Sequence, residues 1–122
     1  MEEITHILSA LSDVRISRRM DEELIHRAIM RVFNIRGIRY EHEYKLIPHK
    51  RFDFWIDGGV VLEVKKEKPS KITLLNQLNR YTKAEEVRAV IVVLEKSMDI
   101  PKYLNKKPIF VISLNANWGI AI

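Results

Sequence analysis

The first recurring signal along the chain is an apolar stripe at helical spacing. Ile4, Ile7, Leu8 and Leu11 return every three or four positions, which predicts a short amphipathic helix over residues 2–11. Residues 12–19 break the stripe with Ser, Asp and three arginines and read as a basic connector. A stronger helix follows over residues 20–35. Leu24, Ile25, Ala28, Ile29, Val32 and Phe33 line one side, and Asp21, Glu22 and Glu23 crowd the first turn, where the helix dipole favours negative charge. Gly37 ends it.

From Ile38 the period changes to two. Tyr40–Ile47 is predicted as a strand closed by Pro48, residues 51–56 as a second and Val60–Lys65 as a third, with Asp57-Gly58-Gly59 as the turn between the last two. Pro69-Ser70 announces a helix over Lys71–Lys83, with Ile72, Leu74, Leu75, Leu78 and Tyr81 as its apolar or aromatic positions. Ala89–Leu94 is too short and too β-branched for a helix and reads as a strand buried on both faces. Residues 109–114 repeat that pattern after a loop containing Lys and Pro. The predicted order is α, α, β, β, β, α, β, β in one α/β domain over residues 1–122, divided into an N-terminal helix and connector (1–19), a core (20–94) and a C-terminal loop and strand (95–122).

Composition narrows the chemistry. With 122 residues, 47% hydrophobic and 30% charged, the chain has ordinary globular usage and enough length for one sheet with helices packed on it. Cysteine is absent, which excludes disulfides, thiolate metal sites and a Cys nucleophile. No run approaches the roughly 20 apolar residues of a membrane span, and the N-terminus is acidic where a signal peptide would be basic. A cytoplasmic protein is therefore expected, with no membrane partner. The net charge of +5 has the sign expected of a protein that meets a polyanion such as nucleic acid.

The candidate chemistry lies in the hairpin Arg51-Phe52-Asp53-Phe54-Trp55-Ile56-Asp57-Gly58-Gly59-Val60-Val61-Leu62-Glu63-Val64-Lys65. Glu63 and Lys65 share one face of their strand, while Leu62 and Val64 point to the other. Asp53 joins them only in one register. A two-residue Gly58-Gly59 loop would turn Asp53 away from Glu63, whereas a three-residue Asp57-Gly58-Gly59 loop pairs Ile56 with Val60 and sets Asp53 opposite Glu63. The three-residue loop is the register adopted here. Two carboxylates facing each other across about 5 Å repel unless a cation lies between them, and an oxygen-preferring divalent ion fits. A lysine beside that ion would hold a water and offset charge on a phosphate, which points to phosphodiester hydrolysis.

These residues resemble the PD-(D/E)XK nuclease superfamily, whose signature is an acid in one strand and Glu-x-Lys in the next; here these are Asp53 and Glu63-Val64-Lys65. The proline that often precedes the first acid is replaced by Phe52. Gln77-Leu78-Asn79-Arg80-Tyr81 is similar to the Gln-x-x-x-Tyr helix motif of the RecB-like branch, and Gln77 is the only glutamine in the chain. The resemblance implies a restriction-endonuclease-like αβββαβ core, a central mixed sheet flanked by helices with an extra N-terminal helix. It further implies a Mg²⁺- or Mn²⁺-dependent nuclease in which Asp53, Glu63 and the Val64 carbonyl hold the metal and Lys65 positions the attacking water. Gln77 would orient Lys65 or that water, and Tyr81 would approach the phosphate backbone. Many members add a glutamate from the first core helix. Glu22, at the border of the buried stripe, is chosen for that role over Glu23, which lies nearly opposite the stripe.

Outside this constellation the residues are less specific. Lys50 and Arg51, and Lys66 beyond Lys65, flank the hairpin where they fit phosphate contacts, with Arg15, Arg18 and Arg19 as a possible extension. Asp57 reads as a turn residue. His6, His26, His42 and His49 show no zinc spacing, and only Glu22 with His26 stand one helical turn apart. Trp118 fits a core, a dimer contact or a base-stacking platform equally. A chain this short leaves little room for specificity elements, so a homodimer acting on DNA is expected, with Holliday junctions among the candidate substrates. Its surface would come from Ile4, Ile7, Leu8 and Leu11, and no small-molecule cofactor is expected. Two alternatives stand beside it: a non-catalytic nucleic-acid-binding subunit of the same fold, and an α/β domain without a metal site.

Overall fold

A computed structural model describes residues 2–17, 19–47 and 50–113 of the protein. Within them lie α1 (Glu2–Ser12), α2 (Glu22–Arg36), β1 (Tyr40–Ile47), β2 (Lys50–Ile56), β3 (Val60–Lys65), α3 (Lys71–Lys83), β4 (Ala89–Leu94), β5 (Tyr103–Leu104) and β6 (Lys107–Ser113). The fold is mixed α/β, with three helices and a six-stranded mixed sheet in the order β1-β2-β3-β4-β6-β5. β1, β2 and β3 are antiparallel neighbours, and β4 joins β3 in parallel after the α3 crossover. Among the described residues no helix is long and apolar enough to cross a membrane.

Two cores sandwich the sheet. On one face Ile25, Ile29 and Phe33 of α2 and the stripe of α1 pack on Phe54, Ile56, Leu62 and Val64. On the other, Leu74, Leu78 and Tyr81 of α3 pack on Phe52, Val61, Val90 and Val92. Each fully buried side chain of this size contributes roughly 1.5–3 kcal/mol of transfer free energy. Ile4, Ile7 and Leu11 are buried inside the chain's own core, with Leu8 packed beside them, so the dimer surface expected from this stripe is corrected: periodicity shows that the face is covered, not by which molecule. The connector is likewise more than a basic linker, because Val14 and Ile16 are buried in the same core.

Local chemistry sets the ends of the elements. Asp21 stands outside α2 as its N-cap, its side chain accepting the Leu24 N–H at 2.9 Å, so the first turn holds two acidic residues rather than three. Ser70 caps α3 in the same way, and Ile72 of that helix is 72% exposed rather than part of its apolar face. β5 is absent from the sequence reading, and β6 begins two residues earlier than expected. The turn joining them, Asn105-Lys106, has both residues at positive φ, the geometry that Asn-Gly ordinarily signals, and Lys hides it. Leu114, Trp118, Arg18 and His49 lie outside the described residues.

The β2–β3 turn has the three-residue register. Ile56 pairs with Val60, and the Gly59 N–H donates to the Ile56 carbonyl at 3.0 Å. Gly59 takes φ +95°, and a Cβ there would collide with the Glu86 carbonyl in the loop before β4. Gly59→Ala is expected to cost at least about 2 kcal/mol, from the left-handed backbone and the collision together. Urea unfolding checks this; a loss under about 0.5 kcal/mol would contradict it.

Candidate metal centre

The pairing of β2 with β3 stops at Phe54↔Leu62, one step short of Asp53 and Glu63. β3 meanwhile stays paired with β4 through Lys65. The two strands therefore part where the carboxylates stand, and side chains replace the missing ladder bonds. The Asp53 N–H donates to Glu63 Oε1 at 3.0 Å, and the Val64 N–H donates to Asp53 Oδ2 at 2.8 Å. This exchange is strong because each bond has an ionisable acceptor.

The strands also rotate there. Phe52 faces α3 and Phe54 faces α2, although residues two apart in a strand normally share a face. On β1 the same switch falls between His42 and Tyr44, which pair with Phe54 and Phe52 and bracket Glu43 at φ 55°. A non-glycine residue at positive φ is strained by roughly 1–3 kcal/mol, and such strain gathers at functional sites. The rotation brings Asp53 to the α2 side of the opened hairpin, while Glu63 and Lys65 stay on the α3 side with Val61.

From the α2 side come Glu22 and His26, one turn apart on one helix face. Glu22 Oε2 accepts the Lys66 N–H at 3.4 Å, so of the acidic residues near the helix start Glu22 is the one at the hairpin. Asp21 is occupied as the cap, and Glu23 pairs with Arg27 at 2.8 Å in solvent. His26 is 7% exposed; its Nε2 lies 3.5 Å from Asp53 Oδ2 and has no hydrogen-bond partner among the described residues. Its Nδ1 is 2.7 Å from Nε2 of His42. Ligand atoms of Glu22, His26 and Asp53 all lie within 4.8 Å of one another.

The trio expected to hold a metal, Asp53, Glu63 and the Val64 carbonyl, is thus not the trio that converges. Glu63 is 2% exposed and turned to the Asp53 N–H, with Lys65 Nζ 3.9 Å from its other oxygen. Val64 contributes its N–H to Asp53 and its side chain to the α2-side core. Gln77 donates to the Tyr81 hydroxyl at 2.8 Å rather than to Lys65, and that hydroxyl donates to the Arg51 carbonyl at 3.4 Å. Tyr81 is 4% exposed and meets Phe52 edge to face with centroids 4.7 Å apart, a buried brace beside Glu63 and not a surface aromatic. Lys66 is paired with Glu95 at 3.7 Å, Arg51 is exposed, and the Lys50 side chain lies outside the described residues.

Burial pushes the Glu63 carboxyl up to about 7, and the neighbouring Asp53 charge adds to this. For Asp53 burial also works upward, but the His26 ring, the Val64 N–H and Lys65 outweigh it and hold this carboxyl below its ordinary value. Burial, with His26 beside it, lowers His42. The one signal in the sequence for His26 is its spacing of one helical turn from Glu22. His42 gave none, because the pair is joined only by the docking of α2 on β1.

Compared with protein-family models, curated proteins and solved structures, the chain matches none. Its function has to be read from the site.

Glu63 yields a pH prediction for the metal-free protein. Its folded pKa of about 7 lies above the unfolded 4.5, so the stability it confers is complete below 4.5 and is lost as pH rises through 7. Asp53, shifted the other way, confers stability that is present above its unfolded value of 3.8 and is lost as pH falls below it, so it adds no slope between pH 5 and pH 8. Between about pH 5 and pH 8 wild type should lose about 2 kcal/mol more than Glu63→Gln, read by urea unfolding with chelator present. Parallel pH profiles would contradict the assignment.

Proposed function

We propose that the protein is a metal-dependent nuclease that hydrolyses DNA phosphodiester bonds. The observation that carries this is the convergence of Glu22, His26 and Asp53 beside Glu63 and Lys65 at an opened strand pair. The donor set fits a divalent cation. Two carboxylates and a buried imidazole nitrogen without a partner supply three ligands of the kind Mg²⁺ and Mn²⁺ take, and the imidazole tilts the preference toward Mn²⁺. Three protein ligands leave positions for water and a phosphate oxygen. The order α2–β1–β2–β3–α3–β4 also agrees with the restriction-endonuclease-like αβββαβ core that the sequence resemblance implies.

Glu22, His26 and Asp53 would hold the ion. When bound, it supplies Lewis acidity, acidifying a water and drawing charge from the phosphate. Lys65 holds the oxygen of the attacking water and offsets charge on the phosphate. Glu63, with a pKa of about 7 and 3.9 Å from Lys65, is matched to take the proton that water gives up near neutral pH. The water oxygen bonds to phosphorus as the bond to one sugar oxygen breaks, and that oxygen takes a proton from solvent water, leaving a phosphate monoester and a hydroxyl end. Gln77 and Tyr81 act behind this, filling the wall against which Glu63 rests. Arg51, Lys66 and Lys50 flank the hairpin where a polyanion would run, in keeping with the net charge of +5. A homodimer remains part of the proposal, with its surface elsewhere than on α1.

Labelled single-stranded, duplex and four-way-junction DNAs, incubated with Mg²⁺ or Mn²⁺, test this. Cutting that chelator stops, and that Asp53→Asn and Lys65→Ala each reduce by at least about a hundredfold without unfolding the protein, is expected. Undiminished cutting by Asp53→Asn would refute the site. Salt-sensitive DNA binding with no cleavage would favour a non-catalytic nucleic-acid-binding subunit.

A further inference from the structure

We propose that His42 is a positioning residue that accepts the Nδ1 proton of His26 and thereby presents the His26 Nε2 lone pair to Glu22 and Asp53. This role rests on the metal-site reading above. The two rings meet edge to face, with centroids 4.9 Å apart and planes at 82°, and a single 2.7 Å contact joins Nδ1 of His26 to Nε2 of His42. One proton lies in that contact. A neutral imidazole carries one N–H and one lone pair, so the ring that donates there fixes the state of both nitrogens of His26.

The two arrangements have different consequences at Nε2. If His42 donates, the His26 proton must sit on Nε2. That N–H would be buried, with no acceptor in hydrogen-bond geometry among the described residues. Its neighbour Asp53 Oδ2 is 3.5 Å away and already accepts the Val64 N–H. If His26 donates, its Nδ1 proton is satisfied and Nε2, 3.5 Å from Asp53 Oδ2, is left able to ligate a cation together with the Glu22 and Asp53 oxygens near it. A ligating imidazole needs its second nitrogen held in this way.

The fold keeps both rings in place. Fully buried Phe54 lies 5.2 Å from His26 and 4.9 Å from His42, a common apolar floor under both. His26 is fixed by a helix capped at both ends, and His42 by its pairing with Phe54 across β1 and β2. The sixteen-residue separation of the two histidines is closed only by this docking.

Long-range ¹H–¹⁵N correlation on metal-free, ¹⁵N-histidine-labelled protein reads the tautomer directly, and calorimetric titration with Mn²⁺ reads the consequence. Wild type is expected to carry the His26 proton on Nδ1. His42→Phe keeps a ring on Phe54 but offers no acceptor, and should mix the His26 tautomers and weaken Mn²⁺ binding about tenfold or more. His42→Gln, whose side-chain oxygen reaches the same place, should restore both. A His26 Nδ1 without a proton in wild type, or unchanged Mn²⁺ affinity in His42→Phe, overturns the inference and leaves the metal site standing. A wild type with the Nδ1 tautomer that binds no Mn²⁺ overturns the metal site and the role of His42 with it.

Discussion

The site depends on strand pairing given up at one step. β2 and β3 pair at Ile56↔Val60, Trp55↔Val61 and Phe54↔Leu62, and then separate. Backbone groups left unpaired in a sheet interior are costly, so something must satisfy them. Asp53 and Glu63 do so reciprocally, each carboxylate taking an N–H from the opposite strand. Acidic side chains are thus anchored deep in the fold by bonds to backbone, and their remaining neighbours are Lys65 beside Glu63 and His26 beside Asp53. An apolar pair at these positions would close the hairpin or leave both N–H groups unsatisfied.

Layering then divides the labour. The sheet separates two cores, and the rotation at Asp53 and Glu43 lets one strand address both. On the α2 side Glu22 and His26 approach Asp53 from one helix face. On the α3 side Tyr81, braced by Gln77, backs Glu63. The two carboxylates diverge in proton affinity for identifiable reasons: Glu63 is enclosed beside a like charge, whereas Asp53 receives an N–H and faces an imidazole. One carboxylate stays charged near neutral pH while the other can exchange a proton.

Much of this was legible in the sequence. The Asp57-Gly58-Gly59 turn suggested the register, because a three-residue loop with glycine at the left-handed position of a G1 bulge pairs Ile56 with Val60, and period-two alternation then located Glu63 and Lys65 on one face. What was not legible required tertiary packing. Side-chain periodicity cannot tell whether Ile4, Ile7 and Leu11 are covered by α2 or by a second chain. It cannot show that Asp21 is spent on capping, that Gln77 turns to Tyr81, or that the strand rotates between Phe52 and Phe54. The His26 and His42 rings come from different elements and carry no common spacing, so nothing in the sequence announces that they meet.

Anomalous diffraction at the manganese edge, from crystals grown with Mn²⁺, tests most directly whether the opened hairpin gathers one cation. A single strong peak within ligand distance of Glu22, His26 Nε2 and Asp53 is the predicted result. A peak only on carboxylates remote from the hairpin, or none at saturating Mn²⁺, would contradict the account.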